Sequence, residues 1–116
     1  MDFQTPPVVV SKIKDGFKLV FNGPIHVNTG WLEGELNTVA AAKPQNAELD
    51  LTATDYISSW GLGVLIGFRN RIAATEGKVR IVAAHPRVRG ILRSSRLDGV
   101  LGVEPEPAPP VEKPNP

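Results

Sequence analysis

The sequence predicts a single α/β domain: an N-terminal β-hairpin, then helix, strand, helix, strand, helix, with a mixed central sheet and the helices packed against it. Three observations carry this. Two β-rich runs flank an Asp-Gly pair at residues 15–16; apolar residues recur at helical spacing in three later stretches; and between those stretches lie two short alternating apolar runs. A chain of 116 residues is one domain's worth, enough for one sizeable core. No internal repeat is visible.

The hairpin comes first. Val8–Lys14 (VVVSKIK) and Phe17–Asn22 (FKLVFN) surround Asp15-Gly16, a pair that signals a type I′ turn because both turn residues then take positive φ. Phe17, Leu19 and Phe21 alternate with Lys18, Val20 and Asn22, so one face of the second strand is apolar. Gly23-Pro24 ends it. Asn28 or Thr29 then reads as an N-cap, and Trp31, Leu32, Leu36, Val39 and Ala40 recur at helical spacing up to Pro44, with Glu33, Glu35 and Asn37 facing out.

Ala47–Leu51 reads as a strand with Leu49 and Leu51 on one side. A Thr-rich connection leads to Ser58-Ser59 and a helix running to Glu76. There Gly61, Val64, Leu65, Phe68 and Ile72 fall within an arc about 100° wide, the width of a core-facing stripe. Gly77 reads as a C-terminal helix stop in the left-handed conformation. Lys78–Ala84 alternates as a strand with Val79, Ile81 and Ala83 together, and Pro86 opens a third helix containing Val88, Ile91 and Leu92. Leu97, Val100, Leu101 and Val103 complete the apolar content. Helix–strand–helix–strand after an antiparallel hairpin implies parallel strands joined by crossovers.

The organisation expected is an N-terminal extension over 1–7, a folded domain over 8–103 and a proline-rich, disordered tail over 104–116. That tail (EPEPAPPVEKPNP) holds six of the 11 prolines, which fix φ and remove backbone donors. Charge is polarised: seven acidic against four basic residues in the first 60, then eight basic against two acidic over 61–103. With no cysteine, disulfides, thiol catalysis and Cys-ligated zinc are excluded together. The N-terminus lacks the basic and apolar blocks of a signal peptide, and no apolar run approaches the ~20 residues of a membrane span, so a cytoplasmic protein is expected.

Other chemistries find little support. His26 and His85 have no His or carboxylate at i+3 or i+4, so no metal site is expected. A Gly-x-Ser-x-Gly elbow is missing. Gly61-Leu62-Gly63-Val64-Leu65-Ile66-Gly67 follows a strand and opens a helix, but its third glycine comes one position late for a dinucleotide fingerprint. No acidic residue ends the following strand to hold a ribose, and no phosphate loop occurs. No cofactor is expected, and the chain is not expected to be an enzyme. Arg87, Arg89, Arg93 and Arg96 describe a solvated helix face, and a net charge of +1 gives no case for nucleic acid.

Ser58-Ser59 sits at a strand-to-helix junction, where a hydroxyl can cap the first turn by accepting from free backbone N–H groups. A phosphate there would carry about −1.5 to −2 charge at the positive end of the helix dipole, changing the surface without unfolding the helix.

Leu49-Asp50-Leu51, followed by Tyr56-Ile57-Ser58-Ser59-Trp60-Gly61-Leu62-Gly63-Val64-Leu65, resembles the signature of the STAS domain, the anti-sigma factor antagonist family. The likeness continues through Gly77–Val82, the Pro86–Leu92 helix and Arg96-Leu97-Asp98. It implies a STAS-type fold and a non-enzymatic regulator of bacterial partner switching. Such a regulator binds a serine kinase that is also an anti-sigma factor, of the histidine-kinase-like ATPase type. It is phosphorylated on the serine after the motif Asp and reset by a metal-dependent serine phosphatase. The phosphorylated position is Ser59 here, with Ser58 the alternative. The motif Asp is replaced by Ser58, the second motif Ser by Trp60, the Asp of the Gly-Glu-Leu-Asp segment by His26, and the late Ser-Gly-Leu becomes Ser95-Arg96-Leu97.

A docking patch is expected around that serine: His26, Ser58, Trp60, Leu62, Gly63, Ile66 and Arg69. Leu62 and Ile66 are read as lying opposite the core stripe, and Gly63 and Gly67, four apart, leave room for a partner. Trp60 is either exposed as an anchor, as hot-spot tryptophans are, or folded back on the body. The patch could equally be covered by a neighbouring helix or a homodimer contact. The alternative function is a non-phosphorylated STAS scaffold or transporter-associated subunit that binds its partner constitutively.

Overall fold

The computed structural model describes residues 8–25, 30–97 and 99–103. The expected extension over 1–7, the tail over 104–116, the Asn28/Thr29 cap and His26 lie outside the described residues. The order is β1 (Val8–Ile13), β2 (Gly16–Asn22), α1 (Gly30–Ala41), β3 (Asn46–Ala53), α2 (Ser59–Ala74), β4 (Lys78–Ala84) and α3 (Pro86–Ser94). The strands form one sheet in the order β1-β2-β3-β4, with β1 antiparallel to β2 and the other two pairs parallel. This is the mixed α/β sheet that the hairpin and the later alternation predict.

Register explains where the core sits. Leu19 lies beside Leu49, and Leu49 beside Ile81; Phe17, Ala47 and Val79 form the next row. Apart from half-buried Phe17, these side chains are buried, as are Val8, Phe21 and Leu51, so one sheet face carries the core. Leu32, Leu36 and Val39 of α1, Leu65, Phe68 and Ile72 of α2, Val88 and Leu92 of α3, and Leu101 complete it. Val64, expected in the buried stripe, is only partly buried at its margin. The opposite sheet face carries a charged row, Lys18, Glu48 and Arg80 across three strands, beside exposed Val9, and Arg80 Nη2 meets Glu48 Oε2 at 3.0 Å. A surface pair of this kind contributes at most about 1 kcal/mol.

Two glycines act differently from expectation. The hairpin loop is Lys14-Asp15, since Ile13 pairs with Gly16, and only Asp15 takes positive φ (66°), so the type I′ turn is not formed. Gly16 instead permits close approach: a Cβ there would collide with the carbonyl of Asn46, where β3 begins. Gly77 is not in the left-handed conformation either; Glu76 is, at φ 67°. The Glu76 N–H donates to the Ala73 carbonyl and the Gly77 N–H to the Ile72 carbonyl, both at 2.9 Å, the paired bonds of a Schellman ending. A side chain at Gly77 would strike Ile72 and the Pro44 carbonyl, so packing explains this residue.

Candidate functional site

The site is built where the chain leaves β2 and β3. Ile25 and Ile57 form an isolated parallel bridge beyond the strand ends; the Ile25 N–H donates to the Tyr56 carbonyl (3.0 Å) and the Ser58 N–H to the Ile25 carbonyl (2.8 Å). Both isoleucines are buried, so the two connections form a fixed platform under the start of α2. Gly61 lets the helix sit down on it. A Cβ at that position would come within 2.7 Å of the Ile25 carbonyl oxygen and 2.8 Å of side-chain carbons of Ile25 and Ile57.

The two serines divide the work. Ser58 is the N-cap, with extended backbone (φ −81°, ψ 174°), and its Oγ accepts from the Gly61 N–H at 3.2 Å. Its carbonyl accepts from the Leu62 N–H at 2.9 Å. Ser59 is the first helical residue and is exposed, and no described residue hydrogen-bonds its hydroxyl. The first turn of α2 contains no acidic residue, so the positive end of its dipole has no carboxylate from its own helix.

At about 100° per residue, Ser59, Gly63, Ile66 and Asn70 share the outer side of α2, directly away from Gly61, Leu65, Phe68 and Ile72. Ser59, Gly63 and Asn70 are exposed and Ile66 is half-buried; a Cβ at Gly63 would meet open space, while one at Gly67 would lie 3.8 Å from Arg71 Nη1. Leu62 does not lie opposite the core stripe: its angular position is a flank, and it packs partly against the core. Trp60 occupies the other flank, half-buried with its apolar surface on the core. Arg69 is half-buried and donates to Asn70 Oδ1 at 3.2 Å. The expected patch is therefore a narrow exposed stripe with half-buried shoulders.

A neighbouring feature was not read from the sequence. Asp55 and Tyr56, just before Ser58, face Arg87, Gly90, Ile91, Ser94 and Ser95 of α3 and its end across a groove of about 480 Å³. Tyr56 is half exposed. Its only signal in the sequence is an aromatic residue next to the serine pair. α3 itself begins with His85 as N-cap, whose Nδ1 accepts from the Arg87 N–H at 3.1 Å, a structural task. Among the described residues no group of three potential ligands could hold a metal ion, and no helix is long and apolar enough to cross a membrane.

The STAS domain family model matches residues 9–108. This chain belongs to the STAS domain family. No curated protein sequence matches it. An anti-sigma factor antagonist from Mycobacterium paratuberculosis is similar in structure, with TM-score 0.74 and 24% identity over 85% of each chain. The anti-sigma factor antagonist SpoIIAA in its unphosphorylated form matches with TM-score 0.67 and 14% identity, over 85% of this chain and 89% of that one. The phosphorylated form of SpoIIAA, a Bacillus cell fate determinant, matches with TM-score 0.65 and 13% identity, over 85% and 92%. At these identities the likeness establishes the STAS fold. Within it, Ser58 is the N-cap of α2 and Ser59 the exposed residue that follows it.

Proposed function

We propose that this STAS domain is a non-enzymatic, cytoplasmic partner-switching regulator. Its partner is a serine kinase that doubles as an anti-sigma factor, of the histidine-kinase-like ATPase type. The partner docks on the outer stripe of α2 and transfers the γ-phosphoryl group of ATP to Ser59 Oγ; a metal-dependent phosphatase reverses the step. One observation carries the reading. Ser58 is committed to the cap, whereas Ser59, one residue on, presents a hydroxyl to solvent at a helix N-terminus with no carboxylate in its first turn. A phosphate there gains about 0.3–1 kcal/mol from the helix dipole and leaves the cap bond intact. That SpoIIAA keeps one fold in its phosphorylated and unphosphorylated forms supports a switch acting through surface charge.

Incubation with the cognate kinase and ATP is expected to add one phosphate, lost in Ser59→Ala and retained in Ser58→Ala. Phosphate on Ser58 alone, or on neither serine, overturns the assignment. The neutral Ser58 favours a second reading, a constitutive scaffold or transporter-associated subunit, because it leaves no fixed negative charge beside the acceptor. Ser59→Asp separates the two: it releases the partner from a switch and leaves a scaffold bound.

A further inference from the structure

Among the described residues β4 is an edge strand of the sheet, and a cavity of about 220 Å³ lies along the first half of its outer edge. Three pieces of chain build it. α2 supplies Arg69, β4 supplies Lys78, Val79 and Arg80, and the stretch after α3 supplies Gly99 and Gly102. Gly102 makes the enclosure possible. At φ 63° it lies so close to β4 that a Cβ would come within 2.7 Å of the Val79 carbonyl oxygen, whereas a Cβ at Gly99 would meet nothing within 4 Å.

The strand contributes a backbone donor. The Lys78 N–H donates at 2.9 Å to the carbonyl of Gln45, which leads into β3, and the Ile81 N–H donates at 3.2 Å to the Gly102 carbonyl on the opposite side. Alternation along the strand therefore turns the Val79 N–H outward with that of Ile81, toward the cavity that Val79 lines. No described residue accepts a hydrogen bond from it.

The charge around this donor has one sign. Arg69, Lys78 and Arg80 line the cavity and no carboxylate does. Arg69 Nη1 donates to Asn70 Oδ1, Arg80 is paired with Glu48, and Arg69 and Lys78 have no carboxylate partner among the described residues. Glu76 lines the adjoining cavity, which Lys78 also borders, and Asp98 lies outside the described residues. A sheet edge with outward N–H groups is a backbone concavity suited to anions, and guanidinium forks match phosphate oxygens. The volume is below the roughly 300–1,000 Å³ of pockets that enclose drug-sized ligands, so it suits a small anion.

We propose that this edge binds a small anion of the diphosphate class, its oxygens accepting from the Val79 N–H, Arg69 and Lys78, with Arg80 adding charge while it keeps Glu48. Ten residues of α2, about 15 Å of helix, separate Arg69 from Ser59, and the binding does not depend on phosphorylation of that serine.

The test is an amide NMR titration of the full chain with sodium pyrophosphate, ionic strength being held constant with sodium chloride. Expected are saturable shifts at Val79, Gly99 and Gly102, with Ser59, Gly61 and Arg93 unmoved. Lys78→Gln, at an exposed position, and Arg69→Gln are each expected to weaken the binding about tenfold or more while the rest of the spectrum stays as it was. Arg93→Gln, on α3, leaves the affinity unchanged. Shifts that rise without saturating, that centre on the arginines of α3, or that survive both cavity substitutions overturn the proposal. Sulfate binding as tightly as pyrophosphate at the same ionic strength overturns it too.

Discussion

Thr54 is fully buried in the connection between β3 and α2, and its Oγ1 has no hydrogen-bond partner among the described residues, although its N–H donates to the Leu51 carbonyl at 3.1 Å. The hydroxyl has been taken out of water and given nothing in return, which costs about 1–3 kcal/mol. Valine has the same shape without that polar atom. Thr54→Val is therefore expected to stabilise the domain by about 1 kcal/mol, seen as a rise of several degrees in a thermal melt. A fall in melting temperature would show that the hydroxyl has a task the packing does not reveal. Ser58 is the contrasting case four residues on: its hydroxyl has a partner in the Gly61 N–H, and removing it would cost about 1 kcal/mol. Similar short hydroxylated side chains thus have opposite signs, decided by a single hydrogen bond.

At the scale of elements, all three helices end on a non-glycine residue in the left-handed conformation: Lys43 (φ 52°), Glu76 (φ 67°) and Arg96 (φ 59°). Arg96 closes α3 as Glu76 closes α2, with its N–H on the Arg93 carbonyl (3.0 Å) and the Leu97 N–H on the Leu92 carbonyl (2.8 Å). A Cβ in this conformation costs about 1 kcal/mol. Arg96→Gly is expected to raise stability by about that amount, whereas Arg96→Ala, which keeps the Cβ, brings no such gain. Equal effects of the two substitutions in denaturant titrations would locate the gain in the lost charge. The same scale shows what the sequence could disclose. Leu19 and Phe21, Leu49 and Leu51, Val79 and Ile81 announce their strands because alternation is a local property, and the serine cap is equally local. The tasks of Gly16 and Gly77 are not legible locally because they are set by Asn46 and Pro44, about 30 positions away, so no window along the chain contains both partners. The Tyr56–Arg87 groove was invisible for the same reason.

At the scale of the whole molecule there is one core, lying between a single sheet face and the helices, while the other face carries the Lys18–Glu48–Arg80 row. The α2 start rests on that core: Gly61, Leu65, Phe68 and Ile72 are buried along one stripe, and the outer stripe with Ser59 is what remains. The buried side chains of the described residues form one cluster, so damage at the centre of the stripe should be felt everywhere. Phe68 is among the largest fully buried side chains, on the helix that packs against both α1 and β4. Phe68→Ala is expected to cost about 3–5 kcal/mol, a large part of the roughly 5–15 kcal/mol that holds a domain of this kind together. The loss should appear as one cooperative transition, with helix content and aromatic packing melting at the same denaturant concentration. Separate midpoints for the two signals would mean that α2 loosens while the sheet persists, and the surface that presents Ser59 would then be a mobile element instead of a fixed edge.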